Sequence, residues 1–278
     1  MILSASRRTD IPCYYSEWFL NRLQAGYVLS KNPMNPAQIK RISLSPDEID
    51  CIVFWTKDPL NMMDRLPLID KLGYRYYFQF TLNPYGKDIE ANLRDKADIV
   101  ETFKQLSEHI SSDRLVWRYD PIIINEKYTV EYHLSSFAAA CRQLQGYTKR
   151  CIISFVDDYK KLSKAVRDFI IRDISEDTQH YLAGRFANIA AGYGIELRAC
   201  CEKLDFTTDG VKPAACIDKE LIENICGYEL NLKKDKNQRS GCTCAESTDI
   251  GVYNTCKNGC IYCYSNHSDA SINKNYLK

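Results

Sequence analysis

Apolar residues along the chain gather in six short runs, and each run closes on polar side chains. The runs are rich in β-branched and aromatic residues, which is typical of strands. They are ILSASRRTD at 2–10, CIVFWTKDP at 51–59, YRYYFQFTL at 74–82, RLVWRYDPI at 114–122, CIISFVDD at 151–158 and IELRACCE at 195–202. The pattern therefore predicts six strands in the first 202 residues.

Stretches with helical spacing separate these runs, at 16–24, 58–72, 96–110, 130–144 and 159–193. Alternating strands and helices predict a parallel sheet with crossover helices, and six strands suit a partial (β/α)6-type barrel of the α/β class. After about residue 203 the alternation stops, and NLKKDKNQRS at 231–240 is typical of a solvated loop. We therefore divide the chain into a barrel part, 1–200, and a cysteine-rich part, 201–278, that packs on the barrel mouth.

Polar side chains cluster where each predicted strand ends. They are Arg7, Arg8, Thr9 and Asp10, then Thr56 and Lys57, Gln79 and Thr81, Arg118 and Asp120, Ser154 and Asp157, and finally Glu202. Active sites of parallel barrels form at the carboxyl ends of the strands. Any one of these residues alone could be a loop residue that faces water. Together, at the ends of six strands, they predict a binding site for a cofactor or substrate.

Composition limits the class of protein. The chain has 278 residues, 45% of them apolar, and a net charge of +1, so no overall field attracts nucleic acid or membranes. No apolar run approaches the roughly 20 residues of a membrane span, and the first residues lack the apolar core of a secretory signal. We expect a cytoplasmic protein, in which the 13 cysteines indicate metal binding or catalysis.

Three cysteines near the end, Cys256, Cys260 and Cys263, follow the spacing C-x₃-C-x₂-C. Thiolates suit iron–sulfur clusters and zinc. If the three bind one cubane, one iron lacks a protein thiolate and is open to a small molecule. The same spacing also fits a zinc knuckle, in which His267 or another cysteine is the fourth zinc ligand.

A second group of four thiols is available upstream. Cys242 and Cys244 form a C-x-C, Cys216 precedes them, and either Cys200 or Cys201 completes the set. We assign Cys200 to it, which leaves Cys201 free. Four thiols are enough for a second, fully ligated [4Fe–4S] cluster or for a structural zinc ion.

The residues Cys256, Cys260, Tyr262 and Cys263 resemble the radical SAM motif, in which an aromatic residue precedes the last cysteine. The resemblance implies a [4Fe–4S] cluster whose fourth iron binds S-adenosylmethionine. One electron then releases a 5′-deoxyadenosyl radical that abstracts a substrate hydrogen. It also implies a flavodoxin or ferredoxin as electron donor.

Nearly the whole chain resembles a bacterial family known as domain of unknown function 1848. The shared segments are ILSASRRTDIP, FWTKDP, FQFTL, RYDPI, ACIDKELI and the tail CTCAESTDIGVYNTCKNGCIYCYSN. The cysteine tail of that family is itself similar to the radical SAM cluster-binding segment. The resemblance does not supply a substrate.

The position of the cysteine motif departs from the radical SAM pattern, where it follows the first strand. Here it comes last, and we hypothesise a circularly permuted barrel. The strand at 195–200 then takes the usual first place and the strand of ILSASRRTD takes the second. Termini that lie close together make such a permutation tolerable.

The resemblance also suggests roles for the rim residues. Ser4, Ser6 and Thr9 are candidates for the amino or carboxylate end of S-adenosylmethionine, and Gln79, Thr81 and Ser154 for its ribose hydroxyls. Arg7, Arg8, Lys57 and Arg118 are candidates for an anionic substrate or the cofactor carboxylate. Asp10, Asp120 and Asp157 are candidates to orient those arginines or to bind substrate. Thr56 completes the rim, and Tyr262 packs over the cluster. Tyr119 and Cys201 are candidates to return a hydrogen atom to a product radical.

Two other classes of function stay open at this point. One is an iron–sulfur electron carrier, which needs no polar mouth. The other is a zinc-stabilised binding module, for which the basic loop at 231–240 offers a nucleic-acid contact. Among substrates we favour a small anionic molecule, because nucleic acid would require a larger basic surface.

Overall fold

The computed structural model describes residues 1–276 except 34, 36, 159–161, 171–173 and 240. All six predicted strands are present, and four further strands join them. The strands are β1 Ile2–Ala5, β2 Tyr27–Lys31, β3 Ile39–Ser43, β4 Cys51–Thr56, β5 Tyr76–Thr81, β6 Leu115–Ile122, β7 Arg150–Phe155, β8 Glu196–Ala199, β9 Lys212–Pro213 and β10 Thr248–Asp249.

Ten helices connect or flank these strands in the described part of the chain. They are α1 Ile11–Tyr14, α2 Ser16–Ala25, α3 Leu60–Met63, α4 Leu66–Lys71, α5 Lys96–Ile110, α6 Val130–Leu144, α7 Lys164–Ile170, α8 Glu176–Gly192, α9 Lys219–Cys226 and α10 Asp269–Tyr276. The helices predicted at 96–110 and 130–144 are confirmed.

Eight strands form one sheet in the order β10-β1-β4-β5-β6-β7-β8-β9, and every neighbouring pair is parallel. The predicted α/β class is therefore confirmed. The two outer strands, β9 and β10, come from residues 201–278 and have two residues each. They do not pair with each other, so the sheet is open among the described residues.

Most of the helices pack on one face of the sheet. Tyr76, Phe78 and Phe80 point to this face, where they join α5 residues such as Phe103 in the main apolar core. In α5, buried apolar residues recur at 99, 103, 106 and 110, so a single stripe of the helix faces the sheet. The helices of this core therefore form one layer against this face of the parallel sheet.

The second face of the sheet is covered by residues 200–245. Alternate strand residues, among them Val53, Tyr77 and Val116, share a separate buried cluster with Cys216 and Ile222 of this segment. Because side chains alternate across a strand, the residues between them face the helices. The cysteine-rich part thus forms the packing layer of the second face; a domain boundary at residue 200 stays a prediction.

Two predicted helices are broken, and four strands, β2, β3, β9 and β10, were not expected. The stretch 58–72 divides into α3 and α4, because Pro67 lacks the N–H of a helix interior and lies in the first turn of α4. The stretch 159–193 divides into α7 and α8, and 159–161 and 171–173 lie outside the described residues. The hairpin β2–β3 escaped prediction because few of its residues are buried.

The strand that precedes the cysteine motif is β10, not the strand at 195–200 as expected. β10 pairs with β1, at Leu3 with Thr248 and Ser4 with Asp249. β8 lies five strands away from β1 in the sheet order. The reason is that residues 201–247 cross the second face before the chain returns to the sheet beside β1. Within the described residues, no helix is long and apolar enough to cross a membrane.

Candidate functional site

Polar side chains replace apolar ones on the second face as the strands approach their carboxyl ends. Ile2 is followed two residues later by Ser4, Tyr77 by Gln79 and Val116 by Arg118. The first member of each pair is buried in the apolar cluster of this face, and each second member is also buried. The two-residue period of a strand thus places a polar layer directly beyond an apolar one.

Four thiols meet within this polar layer. Cys200, Cys216, Cys242 and Cys244, which we name the thiol quartet, are all buried. Cys200 Sγ lies 3.0 Å from Cys216 Sγ. The Cys244 thiol contacts those of both Cys216 and Cys242. The grouping predicted from the sequence is therefore the one that the fold brings together.

Backbone and guanidinium donors surround the quartet. The N–H of Cys216 donates to Cys244 Sγ at 3.2 Å, and the N–H of Ile217 donates to the same sulfur at 3.4 Å. Arg118 Nη1 donates to Cys216 Sγ at 2.9 Å. Such donors stabilise thiolates over thiols.

Cys256, Cys260 and Cys263, the cysteines of the C-x₃-C-x₂-C motif, lie on one loop. This loop comprises residues 254–266, and we name it the cysteine loop. Its backbone runs along residues 89–92: Ile261 N–H donates to the Ile89 carbonyl at 3.0 Å, and Cys260 bridges Glu90. Since residues 89–92 follow β5, the loop lies at the carboxyl edge of the sheet. Gly259 has φ +68°, and a Cβ there would lie 2.8 Å from Asn92 Nδ2, so only glycine fits.

The thiols of Cys256, Cys260 and Cys263 influence one another's ionisation through space. Burial raises the pKa of the Cys260 thiol to about 12, although Lys57 acts in the opposite direction. Burial also raises the pKa values of Cys256 and Cys263. Within the described chain no hydrogen bond joins two of these sulfurs, which distinguishes them from the thiol quartet.

A buried carboxylate, Glu90, fixes the aromatic residue of the motif. Tyr262 OH donates to Glu90 Oε1, and Lys57 Nζ donates to the same oxygen at 2.8 Å. Lys96 binds the other oxygen. Burial alone would raise the pKa of Glu90, but Lys57 and Lys96 lower it to about 2. Glu90 is therefore an anion that ties β4, α5 and the cysteine loop together.

A second buried carboxylate, Asp10, joins β1 to the same loop. Its side chain accepts hydrogen bonds from the N–H of Cys13 at 3.0 Å and of Lys57 at 2.8 Å, and from Asn258 Nδ2 at 3.0 Å. Burial raises the pKa of Asp10 to about 6. Asp10 was expected to orient arginines, but its carboxylate caps α1 and positions the cysteine loop instead.

Asp249, at the end of β10, accepts hydrogen bonds from the two serine hydroxyls that we expected to bind a cofactor. Ser4 Oγ donates to it at 3.0 Å and Ser6 Oγ at 2.7 Å, and the N–H of Arg7 donates at 2.9 Å. A Cβ on Gly251 would lie 1.9 Å from Ser6 Oγ, so glycine permits this approach. Both hydroxyls are therefore engaged within the protein.

Two arginines contact the ring of Trp55. The guanidinium carbon of Arg7 lies 5.2 Å from the ring centroid and that of Arg118 lies 5.4 Å away. Arg7 Nη2 and Trp55 Nε1 are buried and lack a hydrogen-bond partner. Buried polar atoms without partners are rare in native structures, so these two donors indicate a site for an acceptor group.

Arg118 is fully engaged with neighbouring side chains. Its Nε donates to Asp120 Oδ2 at 3.2 Å and its Nη1 to Gln79 Oε1 at 3.4 Å. Ser154 Oγ donates to Asp120 Oδ1 at 2.9 Å. Burial alone would lower the pKa of Arg118, but Cys216 and Asp120 raise it. Gln79 and Ser154, which we expected to bind ribose, support Arg118 and Asp120 instead.

Tyr119 is wrongly assigned to the site. It follows Arg118 in β6, so its side chain points to the opposite, helix-covered face. There its OH lies 2.7 Å from His133 Nδ1, and the residue is 1% exposed in the main core. The assignment failed because adjacency along a strand separates two side chains rather than joining them.

The other rim residues have separate surroundings. Arg8 Nη1 donates to the Gly251 carbonyl at 3.2 Å, Thr56 Oγ1 accepts from Asp58 N–H at 3.1 Å, and Asp157 pairs with Arg239. Thr9 is buried with an unpartnered hydroxyl, and Thr81 is half-buried at the end of β5. Cys201 lines a small cavity beside β8 and β9, away from the cysteine loop.

Sequence reasoning missed four residues of the site, which are Trp55, Glu90, Asp249 and Asn258. Glu202 was predicted as a rim residue, and burial raises its pKa to about 7. Asp249 precedes the cysteine motif and Asn258 lies within it. A polar residue at such a position could have been predicted as part of the site. Glu90 lies in a loop between β5 and α5 and carries no such signal.

Metal coordination is not preformed in the described residues. They include no group of three or more His, Cys, Asp or Glu side chains arranged to hold a metal ion. The quartet sulfurs therefore form a chain of contacts, Cys200–Cys216–Cys244–Cys242, and not a closed shell. The donor chemistry of both cysteine sets is nevertheless that of soft-metal sites.

Known proteins give a family but no activity. No curated protein matches the chain. A solved structure from Bacteroides thetaiotaomicron, of a protein assigned as an alpha-L-fucosidase, is similar over 78% of each chain at 11% identity and a TM-score of 0.28. A similarity this weak does not indicate the function of the chain. A family model matches residues 2–265, and the chain belongs to that family, Domain of unknown function (DUF1848).

Proposed function

We propose that the chain is a radical SAM enzyme, in which Cys256, Cys260 and Cys263 hold a [4Fe–4S] cluster whose fourth iron binds S-adenosylmethionine. That group supplies, on one-electron reduction, a 5′-deoxyadenosyl radical for hydrogen abstraction from a substrate. The observation that carries the proposal is the place of the cysteine loop, at the carboxyl edge of a parallel sheet and beside buried polar atoms without partners.

The cysteine loop suits a cluster with one open iron. It offers three thiols, and within the described residues they are not hydrogen-bonded to one another. Its backbone is fixed by Asp10 through Asn258 and by the bridge to Glu90. A loop held at both places keeps three ligands oriented without a fourth, which supports an exchangeable position on the metal.

The unpartnered polar atoms suit the amino-acid end of S-adenosylmethionine. Arg7 Nη2 and Trp55 Nε1 are donors for a carboxylate, and Asn266 Oδ1 is an acceptor for an ammonium group. The Arg7 carbonyl accepts from Tyr264 OH at 2.7 Å, so Arg7 lies against the segment that carries Asn266. Each of these atoms is buried in the protein and still lacks a partner, which is the condition a ligand would satisfy.

The strand order supports a permuted radical SAM barrel. β10 directly precedes the cysteine loop and neighbours β1, so β10 takes the place of the usual first strand and β1 that of the second. This corrects our hypothesis in one respect, because β10 replaces the strand at 195–200. The permutation itself rests on this neighbour relation.

Protein side chains would position the reactants and keep water away. Tyr262, held by Glu90 and Asn83, lies over Lys57, whose Nζ is 5.3 Å from the ring centroid. Arg7 and Arg118 place two positive charges beside Trp55. We therefore propose a small anionic substrate, and a flavodoxin or ferredoxin as the one-electron donor.

The test is anaerobic reconstitution of the full chain, followed by addition of S-adenosylmethionine and a chemical reductant. We expect about four irons and four sulfides on the cysteine loop, and formation of 5′-deoxyadenosine. The Cys256→Ala/Cys260→Ala/Cys263→Ala variant should lose both. Cys141→Ala, which removes a buried thiol of the helix-covered core, is the matched control.

Three results would contradict the proposal. Iron that stays bound in the triple variant would show that the cluster is bound by other residues. A cluster that never yields 5′-deoxyadenosine would favour an electron carrier. Zinc without iron on the cysteine loop would favour a binding module.

A further inference from the structure

We propose that the thiol quartet, Cys200, Cys216, Cys242 and Cys244, binds one tetrahedral zinc ion and not a second iron–sulfur cluster. The quartet lies on the second face of the sheet and is separate in sequence from the cysteine loop. The inference does not depend on radical chemistry, and its test uses metal content and spectra.

The distance between neighbouring sulfurs distinguishes a zinc site from an iron–sulfur cluster site. Thiolates around a cubane each bind a different iron and lie roughly 6 Å apart. Thiolates around one zinc ion, each about 2.3 Å from the metal, lie about 3.8 Å apart. Cys200 Sγ and Cys216 Sγ are 3.0 Å apart, and Cys244 contacts the thiols on both of its sides. The 3.0 Å separation of Cys200 and Cys216 is far below the spacing around a cubane and closer to that of a zinc shell.

The surroundings of the quartet favour thiolates. Cys244 Sγ accepts from two backbone N–H groups, and Cys242 Sγ accepts from the N–H of Cys244 at 3.5 Å. Four thiolates on a divalent ion carry a net charge of −2. The guanidinium of Arg118 contacts Cys216 Sγ directly, and Arg7 is attracted to Cys216 and Cys244. Arg118, which also pairs with Asp120, and the half-buried Arg7 therefore offset part of that charge.

The quartet also lies where a cross-link is useful. It joins the end of β8, the turn before α9 and the segment before β10. In this part of the second face α9 is the one α-helix among the described residues, so much of the layer is irregular chain. The sulfurs form a chain of contacts with Cys200 and Cys242 at its ends. Side-chain rotation at these ends would close the chain around an ion.

The test is metal loading of the full chain after chelation under reducing conditions. We expect one Zn²⁺ per chain, and one Co²⁺ per chain with the visible bands of a tetrahedral tetrathiolate site. Both should persist in the triple variant of the cysteine loop. Cys216→Ser should weaken Co²⁺ binding by at least about 100-fold.

Cys226→Ser is the matched control, because Cys226 is buried in the same apolar cluster but its thiol donates to the Asp50 carbonyl. It should bind Co²⁺ as the unmodified chain does. About four irons with sulfide retained by the triple variant of the cysteine loop would overturn the proposal in favour of a second cluster. A triple variant that binds neither Zn²⁺ nor Co²⁺ would overturn it in favour of four packed thiols. Loss of 5′-deoxyadenosine alone bears on the cysteine loop and leaves this result unchanged.

Discussion

A single carboxylate, Asp249, holds the polar end of β1 in place. It accepts hydrogen bonds from the hydroxyls of Ser4 and Ser6, from the N–H of Arg7 and from the N–H of Gly251. Without it, these buried donors would lose their acceptor at once. The position of the Arg7 side chain over Trp55 therefore depends on Asp249.

Asp249→Ala should lower the free energy of unfolding by roughly 2–4 kcal/mol, because several part-buried donors lose a charged acceptor. Urea denaturation measures this change. Asp47→Ala, which removes an exposed aspartate, should stay within about 0.5 kcal/mol of the unmodified chain. An equal, small effect of both variants would show that Asp249 does not organise β1.

His133 is a buried residue of α6 on the helix-covered face of the sheet. Its Nε2 lies 2.8 Å from the Ile123 carbonyl and its Nδ1 lies 2.7 Å from Tyr119 OH, so Nε2 carries the proton. Burial lowers the pKa of His133 to about 4. The unfolded chain takes up this proton at a pH near 6.5, so the native state loses relative stability as the pH falls from about 6.5 to about 4.

His133→Gln should therefore flatten the pH profile of stability. Between pH 7.5 and pH 5 the unmodified chain should lose about 2 kcal/mol more than the variant. Denaturation at pH 7.5 gives the packing cost of the substitution, which is subtracted. Parallel profiles for the two proteins would mean that His133 titrates alike in both states.

The cysteine loop is an element without regular secondary structure, and its neighbours give it a fixed shape. Glu90 links it to Lys57 and Lys96, and Tyr14 and Tyr15 donate hydrogen bonds to Asn258 and to the Thr255 carbonyl. These contacts are buried or half-buried, so they are stronger than surface pairs. The element should remain ordered before any metal binds.

Tyr262→Phe tests the link between this order and metal retention. The variant keeps the ring but removes the hydroxyl that binds Glu90 and Asn83. We expect a faster loss of iron to a chelator, by about 10-fold, since supporting contacts of a ligand shell have effects of this size. Tyr228→Phe, which removes a hydroxyl bound to Asp50, should release iron at the original rate.

Gly259→Ala tests the backbone of the same element. Gly259 has φ +68° and a neighbour 2.8 Å from the added Cβ, whereas Gly146 has φ +83° and open space. Gly146→Ala should cost about 1 kcal/mol of stability from its conformation alone. Gly259→Ala should cost more and should also reduce the iron content. Equal costs would show that the loop moves to accommodate the methyl group.

At the scale of the whole molecule, the sequence predicted the central strands well and the site only in part. Runs such as CIVFWT and YYFQFT have the composition of buried strands, and Cys200 and Cys216, which we grouped from the sequence, lie in contact. Local pattern could not place β10, because two residues carry no periodicity. It also could not show that Ser4 and Ser6 meet Asp249, since that contact depends on strand order.

The pairing of β1 with β10 sets the order in which the protein can mature. Ser4 and Asp249 are 245 residues apart, so at 5–20 residues per second the ribosome needs about 12–50 s between them. During that interval β1 can pair with β4 but lacks β10, and its hydroxyls lack their acceptor. Metal insertion at the cysteine loop must then follow synthesis through Cys263. A stalled nascent chain ending near residue 245 should be cut by protease at β1 more readily than a chain that extends past residue 265 and has left the ribosome.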